Sequence, residues 1–218
     1  QWRPFEPRPS GRVGVVEIDE CSIEYFRARK EGGRPWSRQR HADLLDQLDR
    51  AGVRAVGYDV LFADPSPNDP LGDEILEAMA RGGAGRFLFN STRLHPDYDA
   101  GSPMRASQAP AAFPLNPQPQ DDPKVALLRP YGEAMATFSA ISNVTRNVDG
   151  VLRDIPLRET VGDWALPSLP LRLAMTAAPR SPQNLAAALR PNWRRNTRLP
   201  SISAADLLAA VARGSAPV

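Results

Sequence analysis

The strongest constraint on this chain is the way short apolar runs alternate with helix-period stretches through its first half. Val13 to Ile18 (VGVVEI) is apolar and β-branched, ends at Asp19, and reads as a buried strand. Ser37 stands as a helix N-cap, His41, Leu44, Leu45 and Leu48 recur at helical spacing, and Gly52 closes the stretch. Arg54 to Leu61 (RAVGYDVL) is a second strand with Asp59 near its end. Asp69-Pro70 combines an N-cap with a proline at the first helical position. Leu71, Ile75, Leu76 and Met79 then form one face, and Gly82-Gly83 stops that helix. Gly85 to Thr92 (GRFLFNST) is a third strand. This order joins parallel strands through crossover helices. The expected fold is therefore α/β: three layers, with a mainly parallel central sheet and flanking helices. Right-handed crossovers would bring the ends of the first two strands to one sheet edge. Asp19 and Asp59 would then meet where open α/β sheets place ligands.

The second half is less regular. Residues 96–123 hold seven of the 23 prolines and read as one long, mobile loop, a lid or a dimer contact. Pro130 opens a helix with Ala134, Phe138 and Ile141 on one face. Asp149-Gly150 lies between Val144–Val148 and Val151–Leu157, a β-hairpin pattern. Leu166 to Ala178 reads as a helix, and Ser203 with Asp206 forms a capping pattern ahead of a last one. Residues 1–11 are a polar lead-in arm, and 12–218 make one domain. The longest apolar runs, such as Leu207 to Ala212, fall far short of the roughly 20 residues that span a bilayer. No signal-peptide pattern opens the chain.

Few chemistries fit the residues. Cys21 is the single cysteine, so no internal disulfide forms. His41 and His95 are the only histidines, with no ligand spacing for zinc. No phosphate loop, dinucleotide fingerprint or nucleophile elbow is present. A formal charge of +2 gives no field to hold nucleic acid. Arg190, Arg194, Arg195 and Arg198 around Trp193 read as a solvated or partner-facing surface, or one that meets lipid head groups. Arg-, Ala- and Pro-rich usage points to a GC-rich bacterial genome, so the glycosylation patterns Asn90-Ser91-Thr92 and Asn143-Val144-Thr145 are taken as coincidence.

Asp19 and Asp59 are the most informative pair. They could bind a ligand or a divalent cation, work as an acid/base pair, or each cap a following turn or helix. Trp36 and Arg38 could form a stacking platform or anion clamp. Alternatively, Trp36 seals the core while Arg38 pairs with an acid such as Asp19 or Asp59. Arg153 carries the same two readings, and Ser22 has no identifiable base.

Several segments in order resemble a known family. They are Val15-Val16-Glu17-Ile18-Asp19-Glu20-Cys21-Ser22, Pro35-Trp36-Ser37-Arg38, Leu44-Leu45-Asp46-Gln47-Leu48 and Gly57-Tyr58-Asp59-Val60-Leu61-Phe62. Later come Asn147 through Leu157, Ser168 through Ala174 and Ile202 through Leu208. Together they resemble the second type of CHASE domain, an extracellular sensor associated with cyclases and histidine kinases. The resemblance covers about residues 12–212. It implies a periplasmic or extracellular input domain of a bacterial transmembrane receptor, with a cyclase, histidine kinase or Ser/Thr kinase output. It implies a homodimer, membrane attachment through flanking helices, an unknown small molecule or envelope protein as partner, and no nucleic acid. No cofactor is expected apart from the divalent cation that Asp19 and Asp59 could hold. The candidate ligand-binding residues are Asp19, Ser22, Trp36, Arg38, Asp59, Phe62 and Arg153. Family members continue into another strand and a histidine-containing segment, so a final sheet strand is expected beyond Val218. Two other classes stay open: a hydrolase or transferase using Asp19 and Asp59, and a structural module that binds an envelope protein.

Overall fold

The structure is a computed structural model that describes residues 11–29, 35–143, 150, 154–178, 186–189 and 199–212. β1 (Val15–Glu17) runs into α1 (Glu20–Ala28), whose N-cap is Asp19. The sequence reading did not include α1, although Asp19 followed by Glu20 and by Ile23 and Phe26 at i and i+3 is a helix-start pattern. α2 (Arg38–Arg50) starts at Ser37, whose side chain accepts the Arg40 N–H. β2 (Val56–Tyr58) leads to α3 (Pro70–Gly82), where Asp69 caps and Pro70 sits at the first position, as expected. β3 (Phe87–Arg93) follows.

Residues 96–123, expected as one loop, contain 3-10 turns at Pro96–Gly101 and Ala106–Gln108 and a short strand, β4 (Phe113–Pro114). Carboxylates fasten this stretch. Asp122 accepts the Ser107 N–H and hydroxyl, and Asp163 accepts the N–H groups of Gln120 and Asp121. β5 (Leu127–Leu128) comes next.

The helix expected from Pro130 is only α4 (Glu133–Thr137). Phe138 leaves helical geometry, and Ser139–Ile141 becomes β6, paired in parallel with β3. The cause is tertiary: the free edge of a strand buried at six of its seven residues takes the segment in spite of its helical spacing. Glu77 of α3 holds the short helix by accepting the N–H groups of Ala134 and Met135.

β7 (Ile155–Pro156), β8 (Arg158–Val161) and β9 (Trp164–Pro167) precede α5 (Leu169–Ala177). The described hairpin is β8–β9, turning at Gly162 with φ +59°. The flanks of Asp149-Gly150, where the sequence placed a hairpin, lie mostly outside the described residues. β10 (Ala188–Leu189) pairs with β7, and β11 (Ser201–Ser203) leads into α6 (Ala204–Ala212).

The central sheet sets β3 between β2 and β6, all parallel, with β5 antiparallel along the end of β3. Period-2 alternation divides its two faces. Tyr58, Phe87 and Phe89 join the main core with residues of α2, α3 and α4. Leu88 and Ala140 point the other way and pack under Leu169 and Leu173 of α5. The result is a three-layer α/β arrangement. One expectation fails: β1 does not pair with β2. Its parallel partner is β11, in register Val15 to Ser201 through Glu17 to Ser203. Pairing between segments so distant in sequence is invisible to local periodicity.

Candidate functional site

The parallel strands β2 and β6 both end at one edge of the sheet, beside the start of α5. Between them lies a cleft of about 310 Å³. Its polar lining is Asp59, Ser142, Asn143 and Ser168, and its walls include Ile141, Ile155, Leu169 and Leu173. This is the position at which open α/β sheets bind ligands, and the volume is in the range of small-molecule sites. A second void, under Leu127, Ser139 and Leu166, has only about 10 Å³, room for a single water at most.

A directed chain of hydrogen bonds fixes the polar rim. The Ser142 hydroxyl donates to Asn90 Oδ1 at 2.6 Å, and Asn90 Nδ2 donates to Asp59 Oδ1 at 3.0 Å. The Asn90 amide is thus held in one orientation, and Asp59 keeps Oδ2 free of any donor among the described residues. Asn143 is committed differently. It accepts the Arg93 N–H at 2.6 Å and donates to the Arg93 carbonyl at 2.9 Å, locking the end of β6 to the end of β3. Both asparagines matched glycosylation patterns in the sequence; the structure uses both in internal hydrogen bonds. A polar residue inside the apolar run Phe87–Phe89 and Asn90 was the available signal for the first.

Two cations brace the surroundings. Arg93 is buried, bonds both Asp99 oxygens at 2.7 and 2.6 Å, and places Nε on Glu159 at 2.9 Å. Arg172 of α5 reaches the carbonyls of Ser139 and Thr137, and burial lowers its pKa to about 10. On the opposite face from the cleft, the Tyr58 hydroxyl lies 2.7 Å from His41 Nδ1. Burial, with the Arg38 charge, lowers the His41 pKa to about 4, so the imidazole is neutral.

Among the described residues, Asp59 is the only sequence-derived candidate in the cleft. Asp19 lies elsewhere, at the junction of β1, α1 and β11. Its Oδ1 accepts the Ser22 N–H at 2.8 Å, the Ser22 hydroxyl at 2.6 Å and the Ser203 hydroxyl at 3.0 Å. The Ser22 hydroxyl and N–H, together with Ser203, hold its carboxyl below the usual range. Asp19 therefore caps a helix, and it shares no hydrogen-bond partner with Asp59. β1 pairs with β11 and not with β2, so the strand order expected to bring Asp19 and Asp59 to one rim, for a cation site or an acid/base couple, is not the one formed. No group of three or more potential metal ligands occurs among the described residues. Ser22 is buried, in the same knot as Asp19.

Trp36 is a core residue. Its indole meets Phe26 edge-on at 5.4 Å, and its N–H finds no acceptor among the described residues. Arg38 does pair with an acid, but the acid is Asp73, at 3.0 Å, and the guanidinium also reaches the Asp64 carbonyl. It lies 4.5 Å over the ring of Phe62, which is wholly buried in the main core. Arg153 lies outside the described residues. Spacing along the chain does not reveal Gly57, Asn90 and Ser142, which reach the cleft region through the pairing of β2, β3 and β6, or Ser168, which enters it as the N-cap of α5.

Taken together, these features define an α/β domain with a ligand-sized, largely apolar recess at the carboxyl ends of its parallel strands. The chain belongs to the CHASE2 domain family, whose sequence model matches residues 1–217, essentially the whole length. CHASE2 is a second type of CHASE extracellular sensor domain, sensory and not catalytic, and this chain is accordingly a sensing input domain. No curated protein and no solved structure matches it. No helix among the described residues is long and apolar enough to cross a membrane.

Proposed function

We propose that this chain is the periplasmic, small-molecule-sensing input domain of a bacterial transmembrane receptor, and that its ligand occupies the cleft beside Asp59. The observation that carries this reading is the cleft itself, with an oriented carboxylate on its rim, in a chain of a sensory family. The recess also favours a small molecule over an envelope protein, which would call for an exposed apolar patch instead. Membrane helices of the whole receptor carry the signal to a cytoplasmic cyclase, histidine kinase or Ser/Thr kinase. Two copies act as a homodimer whose arrangement the ligand biases. A ligand shifts such an equilibrium only by its difference in affinity for the two states.

The test is a thermal-shift screen of metabolites on the 218-residue chain, followed by output measurements in the whole receptor. A compound that raises the melting temperature of the chain should also change output, and both effects should be lost when Gly57→Val fills the cleft. Hits that Gly57→Val leaves untouched would place the ligand elsewhere.

A further inference from the structure

We infer that the cleft selects a protonated amine carried on a small apolar body; this rests on the reading of the cleft as the ligand site. The argument is one of leftover hydrogen-bonding capacity. Among the described residues that line the recess, Asp59 is the only charged one. One of its oxygens is occupied by Asn90, and the other has no donor among the described residues. Asn143 has both amide atoms on the Arg93 backbone, which leaves it one N–H and one lone pair, a neutral group with no preference for either charge.

The start of α5 could in principle attract an anion instead. Its donors are largely consumed. Pro170 has no N–H, the Ser168 side chain accepts that of Leu171, and the Ser168 carbonyl accepts that of Arg172. At most the Leu169 N–H is left. The cation nearest in sequence, Arg172, is turned to the Ser139 and Thr137 carbonyls, and Arg93 is saturated by Asp99 and Glu159. Among the described residues a carboxylate ligand would therefore meet one like charge and only neutral donors, the Ser168 hydroxyl and the remaining Asn143 N–H. An ammonium would meet a free carboxylate oxygen, with its hydrocarbon part against Leu169, Leu173, Ile141 and Ile155. A charge-assisted bond of that kind is about twice as strong as a neutral one.

The steric side is equally specific. A Cβ on Gly57 would stand 3.3 Å from Leu173 Cδ2 and 3.8 Å from Leu169 Cγ, so the bare glycine keeps the recess open. Substitution at Gly57 and at Asp59 thus separates shape from charge.

The experiment is calorimetric titration of the 218-residue chain with three probes of equal shape: n-hexylammonium, 1-hexanol and hexanoate. The ammonium should bind at least tenfold more tightly than the alcohol, and the carboxylate should bind most weakly. Asp59→Asn, at an exposed side chain, should cost the ammonium about tenfold and leave the alcohol nearly unchanged. Gly57→Val should abolish binding of all three; if it unfolds the chain, Leu173→Phe fills the same space from α5. Hexanoate binding as tightly as the ammonium, or an ammonium affinity unmoved by Asp59→Asn, overturns the amine assignment. Neutral or anionic binding that Gly57→Val removes would leave the sensing cleft standing without it. If none of the three probes binds, both the amine assignment and the cleft as ligand site are overturned.

Discussion

The Ser22 hydroxyl accepts the backbone N–H of Ala205 at 3.1 Å, across 183 residues of sequence. A side chain on α1 thereby satisfies one of the N–H groups left open at the start of α6. The same oxygen donates to Asp19, which also accepts the Ser203 hydroxyl. One buried serine thus ties the first helix, the last helix and the β1–β11 pair.

Ser22→Ala removes an oxygen that three groups use and leaves Asp19, Ser203 and the Ala205 N–H short of partners. The expected cost is about 2 kcal/mol, at the upper end for a single buried hydroxyl. Urea denaturation of the variant measures it. A midpoint equal to that of the parent chain would mean the knot contributes nothing.

Arg93 holds Asp99 and Glu159 from a buried position at the end of β3. Arg93→Met should cost about 3 kcal/mol, because Asp99 keeps its position with its partner gone. Arg93→Lys should recover little of this, since an ammonium cannot copy the two parallel bonds to Asp99. Equal stability of Lys and Arg at this position would show that charge alone matters.

Acid should weaken the fold in two stages. The His41 pKa is about 4 in the folded chain and rises to its ordinary value on unfolding, so the unfolded state takes up the proton first. Stability is full above about pH 6.5 and falls as pH drops toward 4. The loss between about pH 7 and pH 5 is about 2 kcal/mol. Asp19 and Asp99, both with lowered pKa, add a second loss below about pH 4, where the unfolded carboxylates protonate. Urea midpoints taken at these pH values read both stages, and His41→Phe should flatten only the first.

Gly162 turns the β8–β9 hairpin at φ +59°, and a Cβ there would stand 2.6 Å from Pro123 Cδ. Gly162→Ala should therefore destabilise by about 1–3 kcal/mol, through both backbone conformation and collision. It should also loosen the segment that Asp163 holds, so that proteinase K cuts within residues 115–123 faster than in the parent chain. Unchanged cleavage together with unchanged stability would contradict this.

Legibility in the sequence followed the range of the interaction. α2 and α3 announce themselves through Ser37, Asp69-Pro70 and their apolar spacing, because caps and periodicity act within one helix. β3 is readable as a buried strand from its apolar run. The 130–141 segment misled because Phe138 and Ile141 keep helical spacing while the open edge of β3 claims Ser139–Ile141. Asp19 and Asp59 look equivalent along the chain, since each follows a strand, yet only Asp59 reaches the cleft.

Short local patterns and their order along the chain specify the α/β class, most helix starts and family membership. The tertiary structure alone decided that β1 pairs with β11, that Arg38 meets Asp73, and that Gly57, Asp59, Ser142 and Leu173 surround one recess. Those outcomes depend on which strand edges find each other in the folded chain. That choice is made by burial and backbone pairing over long sequence separations, where local spacing carries no information.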